Sequence, residues 1–209
     1  MTAINKSHGL DDPTTVLHWY DFICPFCYVG QQRNAILSSN GLNVVELPFQ
    51  AHPDIPLGGI PAGRQRSGQM YAMLEREAEE AGLQLNWPQR LPNTRMALAA
   101  AEWTRQHRSS SFAQFNKDLF EAHFVMNEDL EDPAVIDQHA SESGVDLPAL
   151  HAGLADGTAM DAVTASEMIS RKYGVRGTPA WLFAQGLIMG LRPATDFERL
   201  ANEAMRLAR

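Results

Sequence analysis

The first fifty residues carry the pattern that most restricts the fold. Residues 14–22 (TTVLHWYDF) are rich in β-branched and aromatic side chains and predict a strand. A stretch of helical character follows and ends near Gly41, a residue suited to a left-handed helix cap. Residues 43–50 (NVVELPFQ) predict a second strand. Strand, helix and strand with short connections form a βαβ unit, so we expect parallel strands and a right-handed crossover.

The middle of the chain loses this alternation. Residues 52–66 are rich in proline and glycine and predict a loop. Five helical patterns follow, over residues 70–81, 94–107, 111–124, 132–144 and 147–154. This block, residues 62–157, is predicted to be an all-helical insertion because no strand pattern interrupts it.

The last fifty residues return to a mixed pattern. A helix is predicted over 158–173 and is closed by Gly174, and a turn then leads into a strand ending at Phe183. Residues 184–186 turn that strand into a second one over 187–191, and Thr195 is predicted to cap a final helix ending at Arg209. Residues 14–61 and 158–209 therefore predict one α/β domain with a mixed sheet and helices on both faces.

The two cysteines of the chain, Cys24 and Cys27, lie where the first strand meets the first helix. Cys24 is predicted at the N-cap and Pro25 at the first helical position, where a missing N–H costs nothing. Helix N-terminal amides favour a thiolate, so the pKa of Cys24 should lie below the value of about 8.5 of a free cysteine. Cys27 is one turn further along and is predicted to be less exposed, which suits a thiol that resolves a mixed disulfide.

Two other interpretations of this C-x-x-C motif remain open from the residues alone. It is half of a zinc site only if two more ligands are found, and no further cysteine or suitably spaced histidine pair is present. The cysteines are otherwise a pair of inert buried residues. The second candidate feature, Gly177-Thr178-Pro179, precedes a strand. On its own it favours an ordinary trans proline, because only about 5–6% of X-Pro bonds in folded proteins are cis.

Charge and hydropathy exclude several classes of partner. The formal net charge is −8 and no basic stripe occurs, which argues against nucleic acid and anionic membranes as partners. Residues 1–13 lack the apolar core of a secretory signal, and the first dozen are predicted to be a frayed tail. No run of 18 apolar residues occurs. We therefore expect a cytoplasmic protein with reduced thiols, a monomer or homodimer without metal or nucleotide.

Five segments together carry a resemblance to a known family: WYDFICPFCYVG (19–30), LPFQAHPDIP (47–56), NTRMALAA (93–100), LFEAHF (119–124) and GVRGTPAWLF (174–183). With these segments in this order, the chain resembles the thioredoxin superfamily, specifically its DsbA-like, FrnE-type branch. The resemblance implies a thioredoxin fold with a helical insertion between its halves. It also implies that Cys24 is the nucleophile, that Cys27 resolves, and that Thr178, before a cis Pro179, offers its backbone to the substrate.

The same branch includes 2-hydroxychromene-2-carboxylate isomerase and kappa-class glutathione transferase, which do not normally keep both cysteines. Because this chain has both, we expect a thiol–disulfide oxidoreductase or isomerase acting on protein or small-molecule disulfides and served by a cytosolic reductant. The alternative is a glutathione-dependent isomerase or transferase acting on a small aromatic substrate, with glutathione as co-substrate. A third hypothesis is a non-catalytic module that binds partners through the insertion.

Several other residues are candidates for the same site. Phe26 cannot donate a hydrogen bond to a thiolate, so Cys24 should be less acidic than in an enzyme with histidine there. Asp21 is either a proton acceptor for Cys27 or a polar cap of the strand end. Asn93 and Thr94 begin a helix, where capping is their ordinary role, and the resemblance implies that they face the substrate. His123 is either a core histidine or, if its helix lines the cleft, a substrate-binding residue.

Overall fold

A computed structural model describes residues 12–63 and 67–208. Eight helices occur in these ranges: α1 (Pro25–Ser39), α2 (Gln69–Glu80), α3 (Arg95–His107), α4 (Ser109–Phe124), α5 (Pro133–Glu142), α6 (Leu147–Ala155), α7 (Thr158–Lys172) and α8 (Ala194–Leu207). The strands there are β1 (Thr15–Tyr20), β2 (Asn43–Pro48), β3 (Ile60–Pro61), β4 (Arg90–Leu91), β5 (Ala180–Phe183) and β6 (Gly186–Met189). Nearly all of the predicted N-terminal tail, the end of the predicted loop at 64–66, and Arg209 lie outside the described residues.

Four strands form the main sheet, in the order β2-β1-β5-β6. β1 and β2 are parallel, with Leu17 opposite Val45, whereas β5 is antiparallel to both β1 and β6. The predicted βαβ unit and the C-terminal hairpin are confirmed. All six residues of β1 are buried, as expected for a central strand with helices on both faces.

The two faces of the sheet have separate cores. On one face, Val16 and Trp181 pack with Leu37 of α1 and Phe197 of α8. On the other face, a second cluster is partly covered by Ile169 of α7. Helices on both faces of a mixed sheet are the predicted α/β architecture, and they hold the end of β1 and the start of α1 in a fixed place.

The inserted helices have a third core, which is continuous with the region below the two cysteines. Phe22 and Cys27 belong to it, together with Leu98 of α3 and Phe115 and Phe120 of α4. Phe22 contacts Phe120 edge to face, with ring centroids 4.9 Å apart. The insertion therefore packs directly beneath the C-x-x-C segment.

The insertion is not entirely helical, contrary to the prediction. β3 and β4 form a two-stranded antiparallel ladder in which Ile60 lies opposite Leu91, and β4 falls inside the predicted helical block. Two residues are too few to show a strand period in the sequence, so this ladder left no pattern to detect. No helix of the described residues is long and apolar enough to cross a membrane.

A second correction concerns the start of the last helix. α8 begins at Ala194 with Pro193 in the N-cap position, rather than being capped by Thr195. The backbone N–H of Asp196 is instead bonded to the Pro193 carbonyl at 3.0 Å, and no side chain caps this helix. A threonine before an acidic residue resembles a cap in sequence, but the turn starts at Pro193, two residues before Thr195.

Candidate active site

The chain turns from β1 into α1 at Cys24. Cys24 is the N-cap residue of α1, with extended backbone angles of φ −84° and ψ 110°, and Pro25 follows in the first turn. The Cys24 carbonyl accepts the backbone N–H groups of Cys27 and Tyr28 at 3.0 and 3.1 Å, and its own N–H is bonded to the Asp21 carbonyl at 3.1 Å. The predicted placement of Cys24 and Pro25 is confirmed. It directs the Cys24 sulfur toward the amide end of the helix.

The two cysteines are thiols in different surroundings. Cys24, Pro25 and Phe26 are partly exposed, whereas Cys27 has no exposed surface. Burial tends to raise the pKa of Cys24, but the Cys27 thiol, the Thr178 side chain and the Cys27 backbone N–H lower it overall. Burial and the neighbouring Cys24 raise the pKa of Cys27 well above its ordinary value. The pair therefore combines an accessible, acidic thiol with a buried thiol that stays protonated.

The loop before β5 reaches the same point from the far end of the chain. The Thr178–Pro179 peptide bond is cis, and the Cys24 thiol donates to the Thr178 carbonyl with a sulfur–oxygen distance of 3.4 Å. Pro179 is buried, and its carbonyl accepts the N–H of Gly190 at 2.8 Å. The structure thus brings Thr178 and Pro179 together with the cysteines, while their role toward a substrate stays a prediction.

Asp21 lies beneath the cysteines with no exposed surface. Its Oδ2 accepts the backbone N–H of Ala51 at 2.8 Å. Burial raises the pKa of Asp21, against the opposing effects of the hydrogen bond from the Ala51 N–H and of the nearby Thr94 side chain. The Asp21 charge in turn raises the pKa of Cys24. Asp21 is therefore an acid with a weakened tendency to ionise, close enough to the pair to influence it electrostatically.

Asn93 and Thr94 are connected to the site through other protein groups. Thr94 is buried and precedes α3, and its side chain acts on Asp21 rather than capping the helix. The Asn93 amide donates to the Ile55 carbonyl at 2.7 Å and accepts from Gln50 at 2.9 Å and from the Arg95 N–H at 3.0 Å. In this structure Asn93 holds the 50–55 loop against α3. Direct contact of either residue with substrate stays a prediction.

A cavity of about 230 Å³ opens beside the first turn of α1. Its wall includes Ile23 and Pro25, the two residues that flank Cys24, and His123 of α4. Three aromatic side chains, Tyr71, Trp87 and Phe124, also line it. His123 is almost fully buried and its ring meets Phe124 edge to face, with centroids 4.8 Å apart. The helix carrying His123 does line the cleft, as its possible role in binding requires.

His52 is a site residue that the sequence did not reveal. It lines the same cavity as Pro25, and its charge lowers the pKa of Asp21. In the sequence it stands only at the start of a loop rich in proline and glycine, where nothing marks it as near Cys24. Its position after β2, the strand parallel to β1, is the one available signal, because carboxyl ends of parallel strands meet at one edge. Among the described residues no group of three or more His, Cys, Asp or Glu side chains is arranged to hold a metal ion.

Comparison with known proteins identifies the family. Residues 15–203 match the DSBA-like thioredoxin domain. The chain belongs to this family. The predicted DsbA-like, thioredoxin-type fold is thereby confirmed, since the match spans both halves of the α/β domain and the insertion between them.

Several proteins of similar structure are known for this DsbA-like chain. A probable DsbA oxidoreductase of Streptomyces coelicolor has a TM-score of 0.76 and 21% identity, over 92% of this chain and 90% of that one. A 2-hydroxychromene-2-carboxylate isomerase has a TM-score of 0.72 and 19% identity, over 93% of this chain and 96% of the isomerase. The cytosolic disulfide reductase DsbM of Pseudomonas aeruginosa, solved with GSH, has a TM-score of 0.62 and 16% identity, over 92% of this chain and 96% of DsbM. At such identities these similarities establish the shared fold.

A protein of similar sequence is YwbO of Bacillus subtilis. It is 20% identical over 191 residues, which cover 89% of this DsbA-like chain and 94% of YwbO. The two chains therefore correspond over nearly their whole lengths.

Proposed function

We propose that this chain is a thiol–disulfide oxidoreductase in which Cys24 attacks and Cys27 resolves. The observation that carries the proposal is the asymmetry of the pair. Cys24 is partly exposed at a helix N-terminus and has a lowered pKa, whereas Cys27 is fully buried and has a raised pKa. Only a thiolate attacks a disulfide, so the difference between the two thiols assigns the first step to Cys24.

The chemistry proceeds by two exchanges. The Cys24 thiolate attacks one sulfur of a substrate disulfide, forming a mixed disulfide and releasing the other substrate sulfur as a thiolate that takes up a proton. Cys27 then loses its proton and attacks the Cys24 sulfur, which releases the second substrate thiol and leaves a Cys24–Cys27 disulfide. A dithiol reductant or two molecules of glutathione return the pair to thiols, being oxidised to a disulfide themselves. In the reverse direction, the oxidised pair accepts electrons from a substrate dithiol.

Two neighbouring groups suit the proton and binding steps. Asp21 is the acceptor proposed for the Cys27 proton, because burial raises the pKa of its carboxyl toward the range useful for proton transfer. The Thr178 carbonyl is the acceptor proposed for a substrate backbone N–H, since ionisation of Cys24 removes the proton that this carbonyl receives in the reduced pair.

The proposed substrates are protein or small-molecule disulfides with an apolar group next to the reacting sulfur. The aromatic cavity beside Pro25 supports this choice, because it would hold such a group within reach of Cys24. A reducing, cytosolic compartment is the proposed location. It agrees with the cytosolic disulfide reductase DsbM among the proteins of similar fold.

Turnover of insulin disulfides with glutathione as the reductant tests the proposal. Cys24→Ser should abolish turnover, and reduced Cys27→Ser, mixed with insulin before any glutathione is added, should stop after the first exchange and accumulate a mixed disulfide that mass spectrometry detects. Insulin reduction at the wild-type rate by Cys24→Ser would refute the assignment.

A glutathione-dependent isomerase or transferase acting on a small aromatic compound is the second candidate. The three aromatic walls of the cavity favour it, as does the similar fold of the 2-hydroxychromene-2-carboxylate isomerase. This activity needs no resolving thiol, so it should survive Cys27→Ser, whereas disulfide exchange by this variant without glutathione should stop at the mixed disulfide. Calorimetry with glutathione and the Cys27→Ser variant, followed by an isomerisation assay, separates the two functions.

A further inference from the structure

A second cavity, of about 370 Å³, lies between the segment after β2 and the end of α7. The segment 49–53 separates it from the aromatic cavity: His52 lines the aromatic cavity, while Gln50 and Ala51 line the second one. Its wall holds three arginines and one acidic residue: Arg95, Arg171, Arg176 and Glu167. Three positive charges and one negative charge leave the cavity with a formal charge of +2, although the whole chain carries −8.

The acidic residue of this cavity is already neutralised. Glu167 accepts Arg95 Nη1 at 2.7 Å and the backbone N–H of Gln50 at 3.3 Å. Arg95 also donates to the Thr164 hydroxyl at 2.7 Å, so its guanidinium is held on both sides. Arg171 and Arg176 are exposed, and neither side chain forms an ion pair or hydrogen bond with residues 12–63 or 67–208. Two uncompensated guanidinium groups therefore face this cavity.

The loop before β5 links this cavity to the reacting sulfur, since Val175 and Arg176 line the cavity and Thr178 contacts Cys24. Arg176 is two residues before Thr178, whose carbonyl lies 3.4 Å from the Cys24 sulfur. Two residues of extended chain span at most about 7 Å, which an arginine side chain can match. A peptide bound along Thr178 with its cysteine sulfur at Cys24 would therefore place a residue near its cysteine over these arginines.

We propose that Arg171 and Arg176 form a carboxylate-binding subsite that selects disulfide substrates with an acidic group close to the reacting cysteine. This inference rests on the proposed oxidoreductase function and adds a substrate class to it. Guanidinium groups bind carboxylates through paired N–H donors, and two of them side by side prefer an anion to a neutral side chain. Because both arginines are exposed, their contribution is screened by salt.

A pair of matched peptides tests this subsite. Each is a mixed disulfide with one cysteine, and they differ only in having Glu or Gln two residues from that cysteine. The kcat/KM for their reduction is measured for the wild-type protein, for the Arg171→Gln/Arg176→Gln double variant and for Lys172→Gln. Lys172 is the matched control, because it is exposed and adjacent to Arg171 but does not line the cavity.

The wild-type protein and Lys172→Gln should both prefer the Glu peptide, by roughly five- to tenfold at low salt. In the double variant the ratio should fall to about one, and in the wild-type protein it should shrink as salt is added. Equal use of both peptides by the wild-type protein, or a preference that survives in the double variant, overturns the subsite alone. Absence of turnover with either peptide overturns the proposed function itself, so the two failures are distinguishable.

Discussion

The sulfur of Cys24 lies 3.4 Å from the carbonyl oxygen of Thr178, although 154 residues separate the two in the chain. This contact joins the two halves of the α/β domain at the point where they meet the insertion. The thiol donates to this carbonyl in the reduced protein, and the Thr178 side chain helps to stabilise the thiolate that forms when the proton leaves. One residue therefore acts on both protonation states of Cys24.

Thr178→Val should raise the pKa of Cys24, because it removes the hydroxyl that lowers this pKa while keeping the β-branched shape. A smaller thiolate fraction at neutral pH would then slow the first exchange. The ultraviolet absorbance of the thiolate, followed against pH, measures the change. Thr195→Val, an exposed position on α8, is the control. An unchanged or lowered pKa in Thr178→Val would contradict the role assigned to the hydroxyl.

Asp21→Asn should lower the pKa of Cys24, since the Asp21 charge raises it in the wild-type protein. The same change should slow release of the mixed disulfide if Asp21 accepts the Cys27 proton. Thiolate absorbance and single-turnover kinetics report the two effects separately. Asp54→Asn, at an exposed position of the nearby loop, controls for the loss of one charge.

The stability of the protein should also respond to Asp21. Its pKa in the folded state is raised above the ordinary 3.8. At pH values between 3.8 and this raised pKa, the folded protein therefore binds more protons than the unfolded one. The free energy of unfolding therefore decreases as pH rises from about 3.8 through the raised pKa. Asp21→Asn lacks this decrease and should be more stable than wild type at neutral pH, by an amount that shrinks in acid. Urea unfolding at several pH values checks this, and a constant difference would argue against a raised pKa.

Much of the fold was predictable because its signals are local. β1 has six consecutive buried residues, and α1 begins five residues after β1 ends. Local sequence patterns therefore predict the βαβ unit. The β3–β4 ladder was missed because strands of two residues have no period. The start of α8 was misplaced by two residues because Thr195 resembles a cap in sequence, whereas the backbone places Pro193 at the N-cap. These errors concern short features whose conformation depends on their neighbours.

In the candidate site, too, residues placed by local signals were predictable and residues placed by distant contacts were not. Cys24 and Pro25 were placed by helix-cap chemistry, which depends on adjacent residues alone. Thr178 came from family resemblance, because nothing in its own segment indicates contact with a cysteine 154 residues away. His52 was missed, and so was the cavity that Arg171 and Arg176 line, since both arrangements arise only when separate segments fold against one another.

Phe26→His should lower the pKa of Cys24 and make the Cys24–Cys27 disulfide more oxidising. Phe26 is partly exposed in the first turn of α1 and has no donor for the sulfur, whereas an imidazole there would stabilise the thiolate. Stabilising the reduced form raises the reduction potential. Equilibration with glutathione buffers measures the potential, and Phe26→Leu, which also lacks a donor, should leave it unchanged. A potential equal to that of the wild type in Phe26→His would contradict this reasoning.

Glu46→Gln should change the pH dependence of stability. Glu46 on β2 accepts the amides of Asn34 in α1 at 3.1 Å and Asn116 in α4 at 3.3 Å, and burial raises its pKa to about 7. The folded state therefore holds a proton that the unfolded state releases between pH 4.5 and about 7, so stability falls over this interval. The free energy of unfolding should fall by about 2 kcal/mol over this interval, a figure that already allows for partial solvent contact of the side chain.

His18 has the opposite effect on the pH dependence of stability, so in the wild-type protein it partly cancels the effect of Glu46. Burial lowers the pKa of His18 from 6.5 to about 3, so only the unfolded state takes up its proton in that interval and stability rises with pH. Without the opposing carboxyl, Glu46→Gln should become more stable relative to wild type as pH increases from 4.5 to 7. Chemical unfolding at half-unit pH steps measures this difference. A difference independent of pH would show that Glu46 ionises normally.

Gly153→Ala should destabilise the packing of α6 on α3, even though alanine is the better helix former by about 1 kcal/mol. A methyl group at Gly153 would lie only 2.5 Å from Cδ1 of the Trp103 indole, closer than carbon atoms approach without displacement. Overpacking of this kind costs about 1–3 kcal/mol. Urea unfolding at neutral pH gives the loss directly.

Trp103→Phe is the control for this clash. The new methyl would meet the five-membered ring of the indole, and phenylalanine lacks that ring. Each single variant should be less stable than wild type, the second because Trp103 is largely buried in the core of the insertion. The double variant should be more stable than the sum of the two losses predicts, because the methyl then occupies space vacated by the indole. Strict additivity would mean that Gly153→Ala acts through α6 alone, and that close contact between the helices is not why glycine is needed there.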